Sequence, residues 1–190
     1  MSKMKIEIET QRLLLRGWQE SDLDLFIQMN QDDEVMRYFP SKRTASQTKE
    51  FYEKIIGEFS EYGYGLYAAE EKHSGEFIGF IGFHHAHMDV SFCPCLEIGW
   101  RLDKRYWGKG YATEGAKACL KHGFEKLDFD KIYSFTAVLN KPSQRVMQKI
   151  RMKFEQYFEH PEIAESHPLR PHVCYSIDKN EYNIRYKERG

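Results

Sequence analysis

Nothing in this 190-residue chain is long and apolar enough to cross a bilayer, since its longest apolar run, Phe77 to Phe83, falls far short of the ~20 residues a spanning helix needs. The opening Met1-Ser2-Lys3-Met4-Lys5-Ile6-Glu7 has no apolar stretch of the kind a secretory leader carries, so a cytoplasmic protein is expected. Charge of one sign is also missing. With 28 Lys and Arg against 29 Asp and Glu, the net charge is -1, and the basic excess of a dedicated nucleic-acid binder is absent. The four cysteines, Cys93, Cys95, Cys119 and Cys174, contain no Cys-x-x-Cys pair. Cys93-Pro94-Cys95 lies near His84, His85 and His87, but the spacing fits no structural zinc pattern, so no metal is expected and the thiols are read as reduced. No repeat, linker or low-complexity stretch interrupts the chain. These absences leave one folded domain over residues 1–190, with a charged tail after Asp178 (179–190) expected to fray.

What is present is a succession of helix and strand patterns. Ser21 to Asn30 reads as a helix capped by Ser21, with Leu23, Phe26, Ile27 and Met29 turned inward. Ser46 to Tyr62 reads as a second, carrying Phe51, Tyr52, Ile55, Ile56 and Phe59 on one face and ended by Gly63. Leu66 to Glu70 and Phe77 to His85 flank Lys72-His73-Ser74-Gly75, a hairpin signature. The second of these strands is apolar on both faces and so central. Leu96, Ile98, Trp100 and Leu102 alternate with Glu97, Gly99 and Arg101 as in a half-buried strand. Lys131 to Val138, Phe154 to Glu159 and Val173 to Ile177 are further strands, and Ser143 to Ile150 a further helix.

The most informative stretch is Arg105-Tyr106-Trp107-Gly108-Lys109-Gly110-Tyr111-Ala112, which runs from the strand 96–102 into a helix whose inner face is Ala112, Ala116, Cys119, Leu120, Gly123, Phe124 and Leu127. A helix leaves its first N–H groups unpaired, and the capping position here falls at Lys109 or Gly110, neither of which can accept. Arg105 and Lys109 set positive charge beside the positive end of the helix dipole, which is disfavoured by roughly 0.3 to 1 kcal/mol each unless an anion sits there. A diphosphate answers both problems, and glycines keep side chains out of its way. A dinucleotide fold is disfavoured because Gly108-x-Gly110 lacks the third glycine and no strand-helix repeat precedes residue 77.

Arg105-x-x-Gly108-x-Gly110 resembles the acetyl-CoA pyrophosphate motif of the GNAT superfamily of N-acetyltransferases. Four further segments resemble its ribosomal-protein-alanine (RimJ/RimL-like) branch: Thr10-x-Arg12-Leu13-x-Leu15-Arg16, Leu96-Glu97-Ile98-Gly99-Trp100, Asn140-x-x-Ser143-x-Arg145-Val146-Met147, and Glu159-His160-Pro161 with His172-Val173-x-Tyr175. The likeness runs from about Thr10 to Ile177. It implies an α/β (α+β) fold with a central mixed, mostly antiparallel twisted sheet flanked by about four helices. It also implies acetyl-CoA as co-substrate and transfer of acetyl to a primary amine, foremost a protein N-terminal α-amino group. A small-molecule amine acceptor and a non-catalytic CoA-binding module are the alternatives; no nucleic acid or membrane is expected as partner, and the assembly as monomer or homodimer.

The resemblance also implies roles. Ile98, Trp100 and Leu102, with Gly99 between them, would line the pantetheine arm, and Arg105, Trp107, Gly108, Lys109, Gly110, Tyr111 and Ala112 the diphosphate. Asn140 and Ser143 would contact the arm near its sulfur. Glu97 matches a general base, and an α-amine of reference pKa near 8 needs only a weak one. Its alternative is a structural carboxylate paired with Arg101. Ser143 is the candidate acid, ahead of Tyr175, which shares a strand face with Val173 and Ile177 and reads as core. Asn140 or Ser143 could equally cap the helix beside Pro142. Met36, Arg37, Tyr38 and Phe39 are candidate acceptor contacts, with core packing the alternative for Tyr38 and Phe39. One departure is Ile150-Arg151-Met152, where the branch has glycine after its last helix, so a different helix ending is expected.

Overall fold

A computed structural model describes residues 6–187. Its eight strands form one sheet in the order β1-β2-β3-β4-β5-β6-β8-β7. They are β1 (Ile6–Glu9), β2 (Leu13–Arg16), β3 (Leu66–Glu71), β4 (Glu76–Ala86), β5 (Cys95–Leu102), β6 (Lys131–Ala137), β7 (Lys153–Glu159) and β8 (Pro171–Asp178). Every pairing is antiparallel except β5 with β6. Among the described residues five α-helices accompany it, one more than expected: α1 (Asp22–Gln31), α2 (Ala45–Tyr62), α3 (Tyr111–Glu125), α4 (Lys141–Lys149) and the short α5 (Lys179–Tyr182).

The apolar pattern assigns the two faces. Ile78, Ile81, Phe83, Ile98 and Leu102 meet Ala116, Cys119, Leu120 and Phe124 of α3, while Phe77 and Phe80 meet Phe26 and Met29 of α1 and Ile55 of α2. β4 is therefore apolar on both sides, as a central strand must be. On β5, burial of Ile98 and Leu102 beneath α3 turns Glu97, Gly99 and Arg101 toward α1 and α2.

Two expectations, the Ser21 cap and the end of α4, are corrected, and the tail takes a definite form. Ser21 does not cap α1: its side chain makes no capping bond, and Asp22 instead accepts from the Gln19 N–H at 2.8 Å while pairing with Arg16 at 2.7 Å. Ser21 is itself helical, at φ −62° and ψ −19°, where a capping residue would be extended, and the preceding turn already takes the Asp22 and Leu23 N–H groups onto Gln19 and Glu20 C=O at 3.0 and 3.1 Å. The tail is helical where described. Asp178 and Glu181 form a capping box, Tyr182 is buried and stacks on Phe124 at 4.8 Å, and a wider helical turn continues over Asn183–Lys187. Residues 188–190 of that tail, like 1–5 of the opening segment, lie outside the described residues. Finally, α4 ends as a glycine-ended helix would: Arg151 itself adopts φ 61°, and Met152 N–H bonds back to Met147 C=O at 3.0 Å. The left-handed residue is kept at a cost of roughly 1 kcal/mol.

Candidate active site

β5 pairs with β4 along its whole length, from Gly79 opposite Leu102 to Ala86 opposite Cys95. Toward β6 it pairs once, Glu97 with Tyr133, and from there the strands part. The β6-facing backbone edge of Ile98, Gly99 and Trp100 thus has no strand partner, which is the opening an extended chain could fill by β-addition. Gly99 adds room: a Cβ there would meet only Glu97 Oε1, at 3.8 Å, and the β4–β5 register runs past it without a bulge. The Ile98 and Leu102 side chains are buried in the α3 core, so these two residues can offer a ligand only backbone. Trp100 is half-buried.

At the end of β5 the chain makes a 3-10 turn, Lys104–Tyr106, capped by Asp103, which accepts from the Arg105 N–H at 2.9 Å. Gly108 and Gly110 then take φ 73° and 84°, left-handed values that favour glycine. Gly110 is the N-cap of α3 and supplies no side-chain acceptor. Among the described residues, the N–H groups of Gly108, Lys109, Gly110, Tyr111 and Ala112 donate to no protein acceptor. A Cβ on Gly108 would meet nothing within 4 Å, so the turn is an open cradle. The fit to a diphosphate is good on both counts.

The flanking charge is less bare than its sequence implies. Asp103 pairs with the Arg105 guanidinium at 3.0 Å, and the Lys109 ammonium lies 5.2 Å over the Tyr106 ring. Arg12 fixes the turn from outside, donating to Lys109 C=O at 2.9 Å and to Glu114 of α3 at 2.7 Å, its guanidinium 4.5 Å over the Tyr111 ring. Trp107 donates its indole N–H to Leu102 C=O at 2.8 Å, and Arg37 stacks over both Trp107 and Tyr38. The loop holding Arg37, Tyr38 and Phe39 therefore borders the cradle. Met36 is buried and Tyr38 half-buried, while Phe39 lies over Arg101 at 4.2 Å and is not core.

Glu97 faces α2, half-buried, and does not pair with Arg101. Burial pushes its carboxyl up to about 7, partly opposed by His84 and reinforced by Glu58. His84 stands directly opposite it on β4 and pairs with Glu58 of α2 at 2.8 Å. Sequence reading missed both of these neighbours, since only the register of β4 against β5 brings His84 there. Asn140 caps α4, accepting from Ser143 N–H at 3.2 Å and donating to Thr136 Oγ1 at 2.9 Å. The half-buried Ser143 hydroxyl makes no hydrogen bond among the described residues. Tyr175 is buried in the α3-side core and receives only a long 3.4 Å bond from Gln148. No cluster of three His, Cys, Asp or Glu among the described residues is arranged to hold a metal ion.

A parted strand pair beside an uncapped, glycine-lined helix start defines a domain built to hold an extended, diphosphate-bearing cofactor. The sequence model described as the acetyltransferase (GNAT) domain matches residues 12–153. An uncharacterized N-acetyltransferase, YnaD, of Bacillus subtilis is 31% identical over 179 residues, covering 94% of this chain and 100% of that protein. Two solved structures share the fold at 18% identity. RimL, a ribosomal L7/L12 α-N-protein acetyltransferase in complex with coenzyme A, has a TM-score of 0.75 and covers 93% of this chain and 99% of that one. Spermidine N-acetyltransferase from Vibrio cholerae, with CoA and spermine, has a TM-score of 0.70 and covers 91% and 99%. This chain belongs to the GNAT acetyltransferase family. It is an acyltransferase, an acetyl-CoA-dependent N-acetyltransferase.

Proposed function

We propose that the chain acetylates an α-amino group, foremost that of a protein N-terminus as in the RimJ/RimL-like branch, by direct attack of the amine on bound acetyl-CoA. The observation that carries this reading is Glu97, raised to about 7 on the α2 side of β5 at the rung where β5 parts from β6. A base of that strength matches an amine of pKa near 8, of which a useful fraction is already neutral; a polyamine or lysine nitrogen near 10.4 asks for much more.

Acetyl-CoA, when bound, supplies an activated thioester. Backbone N–H groups of Gly108 to Ala112 would hold its diphosphate, and the free edge of Ile98 to Trp100 its arm, about 16 Å of strand separating Glu97 from Leu102 at the head of the turn. Glu97 takes the proton from the incoming ammonium, directly or through water. An N–H of the unpaired β5 edge would polarise the carbonyl. As the nitrogen–carbon bond forms and the carbon–sulfur bond breaks, Ser143, whose hydroxyl is uncommitted, would give its proton to the leaving sulfur and recover the second proton lost by the nitrogen through water. The cytoplasm is the expected setting. The test is mass spectrometry of N-terminal peptides and small amines incubated with enzyme and acetyl-CoA: a +42 Da product on α-amines is expected, and exclusive modification of polyamines or lysine side chains would overturn the acceptor assignment.

A further inference from the structure

Arg101 is 9% exposed, and among the described residues no carboxylate pairs with it. Its Nη1 donates to Asn30 Oδ1 of α1 at 2.6 Å, while its Nε is fully buried with no acceptor. Asn30 is itself tied to Thr48 at 3.3 Å. The rest of the surround is aromatic: Phe39 at 4.2 Å, Phe80 at 5.4 Å and Phe51 at 6.0 Å from the guanidinium carbon. The charge that acts on Arg101 is another cation, the half-buried Arg43, which stacks on Phe51 at 4.8 Å. Together burial and Arg43 push the Arg101 guanidinium down to about 9. The acidic side chains of the neighbouring loop are spent elsewhere, Asp32 and Glu34 on Lys104 and Asp33 on Lys42.

Two cations without a counter-charge among the described residues, one of them buried, carry a desolvation cost that an apolar side chain would not incur. A carboxylate reaching the guanidinium from beneath the partly exposed Phe39 would relieve the cost in the fork geometry arginine prefers. The position says what would bring it. Arg101 and Glu97 lie on the same face of β5, four residues and about 13 Å apart along the strand, with only the side-chain-free Gly99 between them. Phe39, 38% exposed, forms the outer wall over Arg101 and belongs to the loop that borders the cradle.

We propose that Arg101, seconded by Arg43, is an anion-docking point of the acceptor groove, so that the acceptor is an amine carrying a carboxylate several bonds from its reacting nitrogen. This rests on the transferase reading only in taking Glu97 as the amine end. The same chemistry is offered by an N-terminal peptide with an acidic second residue and by a free ω-amino acid. A polycation such as spermidine is the poorest fit.

The test uses the full chain saturated with CoA, which cannot react, and follows the arginine Nε–Hε NMR signals. Ser-Asp-Ala-Gly amide is compared with Ser-Asn-Ala-Gly amide, and 6-aminohexanoate with hexylamine. The Arg101 and Arg43 signals are expected to move with a carboxylate probe and not with its neutral match. Which probe moves them separates the peptide from the ω-amino acid. With acetyl-CoA, the favoured carboxylate acceptor should exceed its match at least tenfold in kcat/KM, chiefly through KM. Arg43→Gln, a half-buried position less exposed to folding failure than Arg101→Gln, should shrink that ratio below about threefold. Signals unmoved by either carboxylate, or equal kcat/KM for each pair, would overturn the docking site. Signals that move without turnover of any amine would overturn the transferase reading instead.

Discussion

Glu97 and His84 face each other across the β4–β5 ladder, and His84 is in turn paired with Glu58 of α2. The carboxyl proposed as base therefore sits beside an ion pair whose two members act on it in opposite directions. His84 draws its pKa down and Glu58 pushes it up, with burial the larger influence.

Glu97→Gln should lower kcat/KM by about 10²-fold or more at pH 8, the range for loss of a positioned base. In the unmodified chain kcat/KM should rise with pH through about 7 as Glu97 loses its proton; the variant should lack that limb. A pH-independent loss would indicate a structural role. Stability supplies a second readout. The folded carboxyl is raised above its unfolded value, so the folded state holds the extra proton. Stability should therefore fall as pH rises from about 4.5 to about 7 and level off beyond, a slope that Glu97→Gln removes.

His84→Ala and Glu58→Gln should move that limb in opposite senses, upward without His84 and downward without Glu58. Shifts on the order of half a pH unit to one unit are expected from charges at this range. Identical profiles in both variants would mean the pair does not reach Glu97.

Ser143→Ala should leave the melting temperature unchanged, because its hydroxyl makes no hydrogen bond among the described residues, and lower kcat by roughly 10²-fold. Asn140→Ala should instead remove the α4 cap and cost about 1 kcal/mol by denaturant titration. Full turnover in Ser143→Ala would remove it as the acid.

Gly108→Trp should abolish the rise in melting temperature that acetyl-CoA confers, since the open space above Gly108 is where the new side chain would go. The ligand-free variant should also lose on the order of 1 kcal/mol from a left-handed non-glycine residue. An unchanged acetyl-CoA shift would place the diphosphate elsewhere.

Arg151→Gly should stabilise the chain by up to about 1 kcal/mol, measured by denaturant unfolding, because it relieves φ 61° at the end of α4. Loss of the Arg151 contact over the Tyr186 ring, at 5.3 Å, sets the gain below that ceiling.

The parts of the site that were legible in the sequence are those decided within a few residues. Gly108 and Gly110 take positive φ and Asn140 caps its own helix because turn and cap chemistry is local. Alternation likewise put Glu97 on the face opposite Ile98. What it could not give was the company each side chain keeps. Glu58 reaches His84 across 26 residues of sequence, and Asn30 reaches Arg101 across 71, through strand register and helix placement that no short pattern encodes. Ser21 misled because a turn at Gln19 and Glu20 runs straight into α1 and makes Ser21 helical, so that its hydroxyl turns to the Gln19 side chain and not to the helix. In the tail the charge pattern hides Tyr182, whose stacking on Phe124 is visible only once α3 is in place.

Strands β1–β5 and the group β6, β8 and β7 share one apolar core, yet along their seam the backbone joins them by one rung, Glu97 with Tyr133. A cofactor arm laid in the gap would work as a splint, adding rungs that the polypeptide leaves out. Amide exchange along β5 and β6 should then slow together when acetyl-CoA is present. Stiffness would follow the loading of the enzyme, so that an acceptor arriving at Glu97 meets a braced platform only when there is something to transfer.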